Sequence, residues 1–390
     1  MVNVNKIKKE LCCGCGACKD ACTINCISMK QDNEGFVYPV VDEKRCLNCG
    51  KCTVVCPNFQ RFAKVKENYT ASFCASYGKN SQKVKEGSSG GIFELLAEEI
   101  IGMKGIVYGA YLDEKIRVRH GRATNIDEVM KFRKSKYLQS DMTGIFNRIK
   151  EDLDEDKNVL FTGTPCQVAA LYSFVGRDYS NLFTVDIVCH GVPSELVFEK
   201  YICSVEEKNG KKIISLCWRN KEEGWGPNRI SLYFDDGSSI VMKSQENPMQ
   251  VGFLDNLYLR PSCYNCNFAR MPRIGDITLG DFWGYDGTLL KENNNKGLSL
   301  VVLSSQTGES LYERIREKVI DEKVEQQYCV DRSYHLANAP KNNNMRENFF
   351  RDMRDGMDFS SLCRKYIYSN KVWQEDKSLD LTGFLKVLTQ

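Results

Sequence analysis

Two cysteine runs, Cys12-x2-Cys15-x2-Cys18-x3-Cys22 and Cys46-x2-Cys49-x2-Cys52-x3-Cys56-Pro57, constrain the N-terminal segment more than any other feature of the chain. Three thiolates spaced by two residues wrap one side of a four-iron cubane, and a distant fourth closes it. Where two such runs occur together, the closing ligand comes from the other run. That geometry assigns Cys12, Cys15, Cys18 and Cys56 to one 4Fe-4S cluster and Cys46, Cys49, Cys52 and Cys22 to the other. Zinc held by four cysteines is the competing reading. It needs only two CxxC pairs, however, and leaves the remaining spacings without purpose. Gly14, Gly16, Ala17 and Gly50 let the backbone curl close to an inorganic core. Thr23 stands where a proline usually follows the last cysteine, and Cys13 and Cys26 fall outside the ligand spacing. Cys13 reads as a bystander.

The pattern resembles that of bacterial-type two-cluster ferredoxins, so residues 1–61 are expected to form an electron-transfer module. Nineteen cysteines in a small secreted chain would point to disulfides, but MVNVNKIKKELCCGC has no apolar signal core. Metal binding is the better reading, and with it a reducing cytoplasm that meets little oxygen. No apolar run reaches the ~18 residues of a membrane span. A formal charge of +3, from 54 basic and 51 acidic residues, is too balanced to argue for nucleic acid or an anionic membrane.

After a charged linker at 62–70, apolar runs alternate with amphipathic ones. Ile106–Leu112, Val159–Thr162, Leu182–Cys189 and Leu298–Leu303 read as strands. Ile92–Ile100, Val168–Val175, Ser194–Val205 and Glu309–Val319 read as helices. Ile92, Leu95, Leu96 and Ile100 line one face of the first helix, with Glu94, Glu98 and Glu99 on the other. Alternation on both sides of Asp235-Asp236-Gly237 predicts a hairpin between Ile213 and Lys243. Glu292–Lys296 and Lys341–Asn344 read as exposed Asn-rich loops. The expected architecture is α+β or α/β: a mixed domain over 71–335, followed by a mainly helical, peripheral extension over 336–390.

Four further cysteines lie in Thr162-Gly163-Thr164-Pro165-Cys166-Gln167, Cys189-His190-Gly191-Val192-Pro193 and Cys263-x2-Cys266. Cys166 and Cys189 each sit where a strand hands over to a helix, so both thiols can share one edge of a parallel sheet. A four-thiolate site and a pair of small buried hydrophobes are equally compatible with that spacing. Cys74, Cys203, Cys217, Cys329 and Cys363 lack such contexts and read as core.

The run from Gly87 through Ser88, Ser89, Gly90 and Gly91 precedes a helix, and its backbone N–H groups suit a diphosphate or a flavin edge. A plain helix-capping turn is the commoner meaning. Arg117, Arg119, His120, Arg122, Lys131, Arg133, Lys134 and Lys136 form a dense basic stretch, which most often means a solvated face. His190 could relay a proton, since imidazole titrates near neutrality. No Walker loop, HExxH run or GxSxG elbow supports a hydrolytic alternative.

Taken together, Gly87–Gly91, Lys134-Ser-Lys-Tyr-Leu-Gln-Ser140, LFTGTPCQVAAL, VDIVCHGVPS and RPSCYNCNFA…DITLGDFWG resemble the family of β subunits of coenzyme F420-reducing hydrogenases and dehydrogenases. The resemblance extends to about residue 340. It implies a flavin, FAD, in the larger domain and a third 4Fe-4S cluster on Cys166, Cys189, Cys263 and Cys266. It also implies cofactor contacts from Ser88, Ser89, Gly90, Gly91, Lys134, Lys136, Tyr137, Gly163, Thr164, Asp281 and Trp283. His190 and Lys136 are the candidate catalytic groups.

The expected function is that of an iron–sulfur flavoprotein oxidoreductase. It would move electrons between an external redox protein, a ferredoxin or a hydrogenase or dehydrogenase subunit, and a small two-electron substrate. A non-catalytic electron-transfer subunit, or a ferredoxin-dependent reductase of a sugar-like metabolite, is the alternative.

Overall fold

A computed structural model describes residues 3–59 and 69–368. The expected linker therefore lies largely outside the described residues, as does the end of the C-terminal extension. The N-terminal module is built on one antiparallel pair, β1 (Ile27–Gln31) and β2 (Val37–Val41). Two short helices, Ala17–Asp20 and Lys51–Val54, carry the middle of each cysteine run. Each starts after a left-handed glycine, Gly16 and Gly50, a conformation that costs a glycine little.

The larger body contains β3 (Ser72–Gly78), β4 (Ile106–Leu112), β5 (Val118–Ala123), β6 (Val159–Gly163), β7 (Leu182–Ile187), β8 (Ile213–Asn220), β9 (Arg229–Phe234), β10 (Ser239–Lys243), β11 (Ile277–Asp281), β12 (Ser299–Leu303) and β13 (Val319–Lys323). Eight of these form one sheet in the order β13-β3-β12-β11-β7-β6-β4-β5. Its central strands, β11, β7, β6 and β4, are parallel to their neighbours in that run, and the flanking pairs are antiparallel. β12 is buried along its whole length. Burial of Leu300, Val301 and Val302 is worth roughly 1.5–3 kcal/mol per side chain, which holds the centre of the sheet. A second sheet, β10-β9-β8, is antiparallel, and Asp235–Gly237 supplies the expected turn between β9 and β10, with Gly237 at φ 81°.

Several elements differ from their sequence reading. The helix expected from Val168 begins at Pro165, because Pro165 occupies its first position and Gln167 Oε1 accepts the Thr164 N–H at 2.9 Å. The helix expected over Glu309–Val319 runs from Gln306 to Glu313, and Val319 instead opens β13, drawn into pairing with β3. Glu94 is not on a solvent face. It is 2% exposed and receives Arg133 at 2.8 and 2.5 Å. Asn293, expected in a loop, is buried at the end of the helix Thr288–Asn293, and its Oδ1 accepts Gly297 N–H.

The C-terminal helices, Arg346–Arg354 and Phe359–Tyr366, are not peripheral. Phe349, Phe350 and Leu362 are fully buried in the core that also contains β8, β9 and the helix Glu195–Asn209.

The N-terminal module is seated between distant parts of the larger body. Asp20 accepts the N–H groups of Gly144 and Phe146 at the start of the helix Ile145–Asp154. On the other side, Glu34 pairs with Arg346 at 2.5 Å, and its carbonyl accepts Ser194 Oγ. Ala17 and Val55 are buried in the same apolar cluster as Phe146, Phe161 and Val168.

Candidate functional site

Cys12, Cys15, Cys18 and Cys56 line a recess of about 340 Å³, walled also by Val4, Ile7, Met29 and Pro39. These are the four thiols that the spacing assigns to one cluster, and their walls are apolar. Among the described residues, no group of three or more Cys, His, Asp or Glu gathers tightly enough to hold a single metal ion. Zinc at about 2.3 Å from each sulfur would need such convergence. The other assigned set lies nearer the surface: Cys49 is exposed, and Leu47 and Val54 beside it are 73% and 56% exposed. Cys22 accepts the Cys26 N–H at 3.3 Å, and the two sulfurs are 3.4 Å apart. Cys26 therefore lies against this set, a position that its spacing did not reveal.

The second constellation is assembled by the sheet. β6, β7 and β11 run in the same direction, so their carboxyl ends share one edge. That edge carries Cys166 in the first turn after β6, Cys189 two residues after β7, and Asp281 as the last residue of β11. Cys189 lies within electrostatic reach of Cys166, Cys263 and Cys266. A Cβ on Gly191 would stand 3.5 Å from that of Cys263, so the two loops pack closely. Burial pushes all four thiols upward, Cys263 to about 12, which makes the dry pocket a poor place for thiolates unless a cation neutralises them. Iron supplies that neutralisation, and the donor set fits a four-thiolate cluster.

The Ser88–Gly91 loop also sits at this edge, but it is internally engaged. Gly90 N–H donates to Ser299 Oγ at 2.9 Å, Ser89 Oγ to the Leu298 carbonyl at 2.6 Å, and Ser135 N–H to Ser88 Oγ at 2.8 Å. The donors expected to face a ligand are thus largely engaged within the protein. The positive field comes from elsewhere. Arg219, 2% exposed, donates to the Ser88 carbonyl at 2.9 Å and forms a two-pronged pair with Asp281 at 2.5 and 2.8 Å. Lys221 donates to the Val84 and Ser89 carbonyls. Neither residue stands out in the sequence, because a strand that alternates in and out normally places Arg and Lys in solvent.

Burial pushes the Lys221 ammonium down to about 7, and Arg219 beside it adds to the shift. Lys136 falls to about 7 for the same first cause, opposed by Cys217 and reinforced by Lys134. Lys134 sits at φ 65° and reaches Cys217 Sγ at 3.5 Å. Tyr137 is within 3.3 Å of Arg219 Nη1. Asp281 also accepts Trp225 Nε1, and Trp225 stacks on Trp283 at 3.8 Å and 5°, leaving Trp283 48% exposed. Gly163 lies against Phe161 and Gln167, and Thr164 caps the Cys166 helix.

The rest of the basic stretch is neutralised. Arg119 pairs with Asp113, Arg122 with Asp152, and Arg133 with Glu86 and Glu94. His120 is buried between Ser140 Oγ and the Thr162 carbonyl. Of the cysteines read as core, Cys203 is exposed and Cys217 half-buried. Burial lowers His190 to about 4, and its Nε2 is 3.1 Å from the Phe253 carbonyl. Its ring packs on Phe253 at 4.7 Å, and the opposite neighbour of Phe253 is Tyr137 at 5.6 Å.

Residues 156–327 match the family described as the C terminus of the coenzyme F420 hydrogenase/dehydrogenase beta chain, and residues 11–59 match the 4Fe-4S dicluster domain. The chain carries the domains of the F420 hydrogenase/dehydrogenase β-chain family. Its N-terminal 4Fe-4S domain and mixed α/β body make it an iron–sulfur electron-transfer protein related to those subunits. An uncharacterized protein of Methanocaldococcus jannaschii is 22% identical over 353 residues, covering 80% of this chain and 90% of its own. One of the subunits of the F(420)H(2) dehydrogenase of Methanosarcina mazei is 20% identical over 333 residues, covering 80% and 84%. A chain of the F420-reducing [NiFe] hydrogenase complex from Methanosarcina barkeri aligns at 16% identity and a TM-score of 0.46, covering 67% of this chain and 89% of that one. No helix among the described residues is long and apolar enough to cross a membrane.

Proposed function

We propose that the chain is an iron–sulfur flavoprotein oxidoreductase that exchanges single electrons with an external redox protein and two electrons with a small substrate. The reading rests on one observation above the others: a packed path, His190–Phe253–Tyr137, joins the Cys189 loop to the basic pocket around Arg219. Lys134, Lys136, Lys221 and Tyr137 would hold an anionic flavin there, with Trp283 offering an exposed ring. Arg219 Nε, buried without a hydrogen-bond partner, and two ammonium groups lowered to about 7 suit an anionic ligand. A bound flavin supplies the conversion between single electrons and hydride. For proton delivery we assign Lys136 ahead of His190, because a group near 7 changes charge at working pH while His190 stays neutral.

The exposed Leu47 and Val54 beside Cys49 favour a redox protein as the partner of the N-terminal module. They fit equally a role for the chain as an electron-transfer subunit. Anaerobic purification with iron analysis and visible absorption tests the proposal: about twelve irons and a flavin are expected from three four-iron clusters. Recovery of about eight irons removes the third cluster, and absence of flavin removes the two-electron site. Reoxidation of the reduced flavin by a candidate substrate, with no other protein present, separates the enzyme from the subunit.

A further inference from the structure

Arg260 lies between two of the cysteine groups, 1% exposed. Its guanidinium donates to the Cys12 carbonyl at 3.1 Å, the Val37 carbonyl at 3.1 Å and Gln139 Oε1 at 3.0 Å, so these three hydrogen bonds all end on neutral oxygens. Phe36 and Tyr38 rings lie at 5.2 and 4.9 Å from it, and its Nε has no partner. A buried cation without a counter-charge is costly. What surrounds this one is sulfur: Arg260 acts electrostatically on Cys12 of the first group and on Cys166 and Cys263 of the third. A Cβ on Gly14 would fall 2.5 Å from Arg260 Nη2, so the guanidinium touches the backbone of the ligand run itself. Cys13, outside every ligand spacing, interacts with Cys15 on one side and Cys166 on the other.

We propose that Arg260 is a shared counter-ion that makes the Cys12/Cys15/Cys18/Cys56 cluster the inner relay, passing electrons across the Cys13–Cys166 contact to the Cys166/Cys189/Cys263/Cys266 group. The exposed Cys22/Cys46/Cys49/Cys52 cluster is then the outer port. The step is a bare electron transfer: one cluster is oxidised by one electron as the other is reduced by one, and no proton moves. A one-electron protein carrier supplies or removes the charge at the outer port. Arg260 is a positioning residue, since an unbalanced cation favours the reduced, more negative state of each cluster that it faces.

The inference rests on the third-cluster reading, and the test separates the two. Midpoint potentials of the individual clusters are measured by EPR-monitored redox titration of the full chain, prepared anaerobically, as wild type, Arg260→Lys and Arg260→Gln. In Arg260→Gln the reduced-to-oxidised ratio of one ferredoxin cluster and of the third cluster should fall at least about tenfold at fixed potential, a shift of about 59 mV for one electron. The other ferredoxin cluster should stay in place as an internal reference. Arg260→Lys, which keeps the charge, should shift them less, and it alone decides the matter if the glutamine variant does not fold: a Lys variant shifted by the full tenfold overturns the proposal. Equal movement of both ferredoxin clusters, or of none, also overturns it. Wild-type protein with about eight irons and one shifted ferredoxin cluster would instead remove the third cluster and leave the counter-ion role standing.

Discussion

Cutting the Arg219–Asp281 pair should cost more than any other single change near the candidate flavin pocket. Arg219 is 2% exposed, and Asp281 has 17% of its side chain accessible. Removing one partner of a buried ion pair leaves a charge with no compensation, at a cost of about 3–5 kcal/mol. Asp281→Ala also strands the Trp225 Nε1 donor, which adds about 1 kcal/mol and places this variant at the upper end. Arg219→Met leaves Asp281 with Trp225 and some solvent, so about 3 kcal/mol is expected. The double variant removes both charges together and should fall short of the sum of the singles by about 2–3 kcal/mol. Urea midpoints under anaerobic conditions, followed by tryptophan fluorescence, give all four values, since Trp225 and Trp283 sit on the pair. Strict additivity, or singles that each cost less than about 1 kcal/mol, would refute the claim that the two charges stabilise one another.

The histidines make the fold acid-sensitive. Burial holds His120 down to about 4, so the unfolded chain binds its proton first, and stability present above about 6.5 is lost as pH falls toward 4. The loss is about 3 kcal/mol at the lower end, and His120→Gln should flatten the thermal-melt pH profile in that window. Cys166→Ser and Cys263→Ser should each lower bound iron from about twelve to about eight per chain while the ferredoxin signals persist; unchanged iron would exclude these residues as ligands. Gly14→Ala should destabilise by about 1–3 kcal/mol in denaturant midpoints, because φ is 66° and the added carbon meets Arg260 at 2.5 Å. Leu47→Asp with Val54→Asp should slow reduction by a ferredoxin several-fold with iron content unchanged; an unchanged rate would move the port elsewhere.

Legibility from sequence followed the range of the interactions involved. The eight N-terminal thiols announce themselves because a cubane dictates local spacing, and the strands β4, β6, β7 and β12 because continuous apolar runs mark a buried sheet. Cys166 and Cys189 could be placed at one sheet edge, since each follows a strand of the same direction. Arg219, Lys221 and Arg260 could not be found that way. Each is a charged residue on a strand or loop, and its burial depends on partners tens to hundreds of residues away: Asp281, Ser89 and Cys12. Glu94 was misplaced for the same reason, as helical periodicity says nothing of an arginine at 133 waiting inside. The C-terminal helices looked peripheral because their charge density is high. Phe349 and Phe350 nevertheless decide where they pack.

The seat of the N-terminal module has a temporal consequence. Glu34 is held by Arg346, and a Cβ on Gly35 would press within 2.6 Å of Leu196. Ribosomes release the first residues long before the last. A newly made ferredoxin segment therefore has nothing to close against until residue 346 has left the exit tunnel. Metal loading into the inner recess would then precede burial, with the final helices acting as the latch that seals a finished cluster inside.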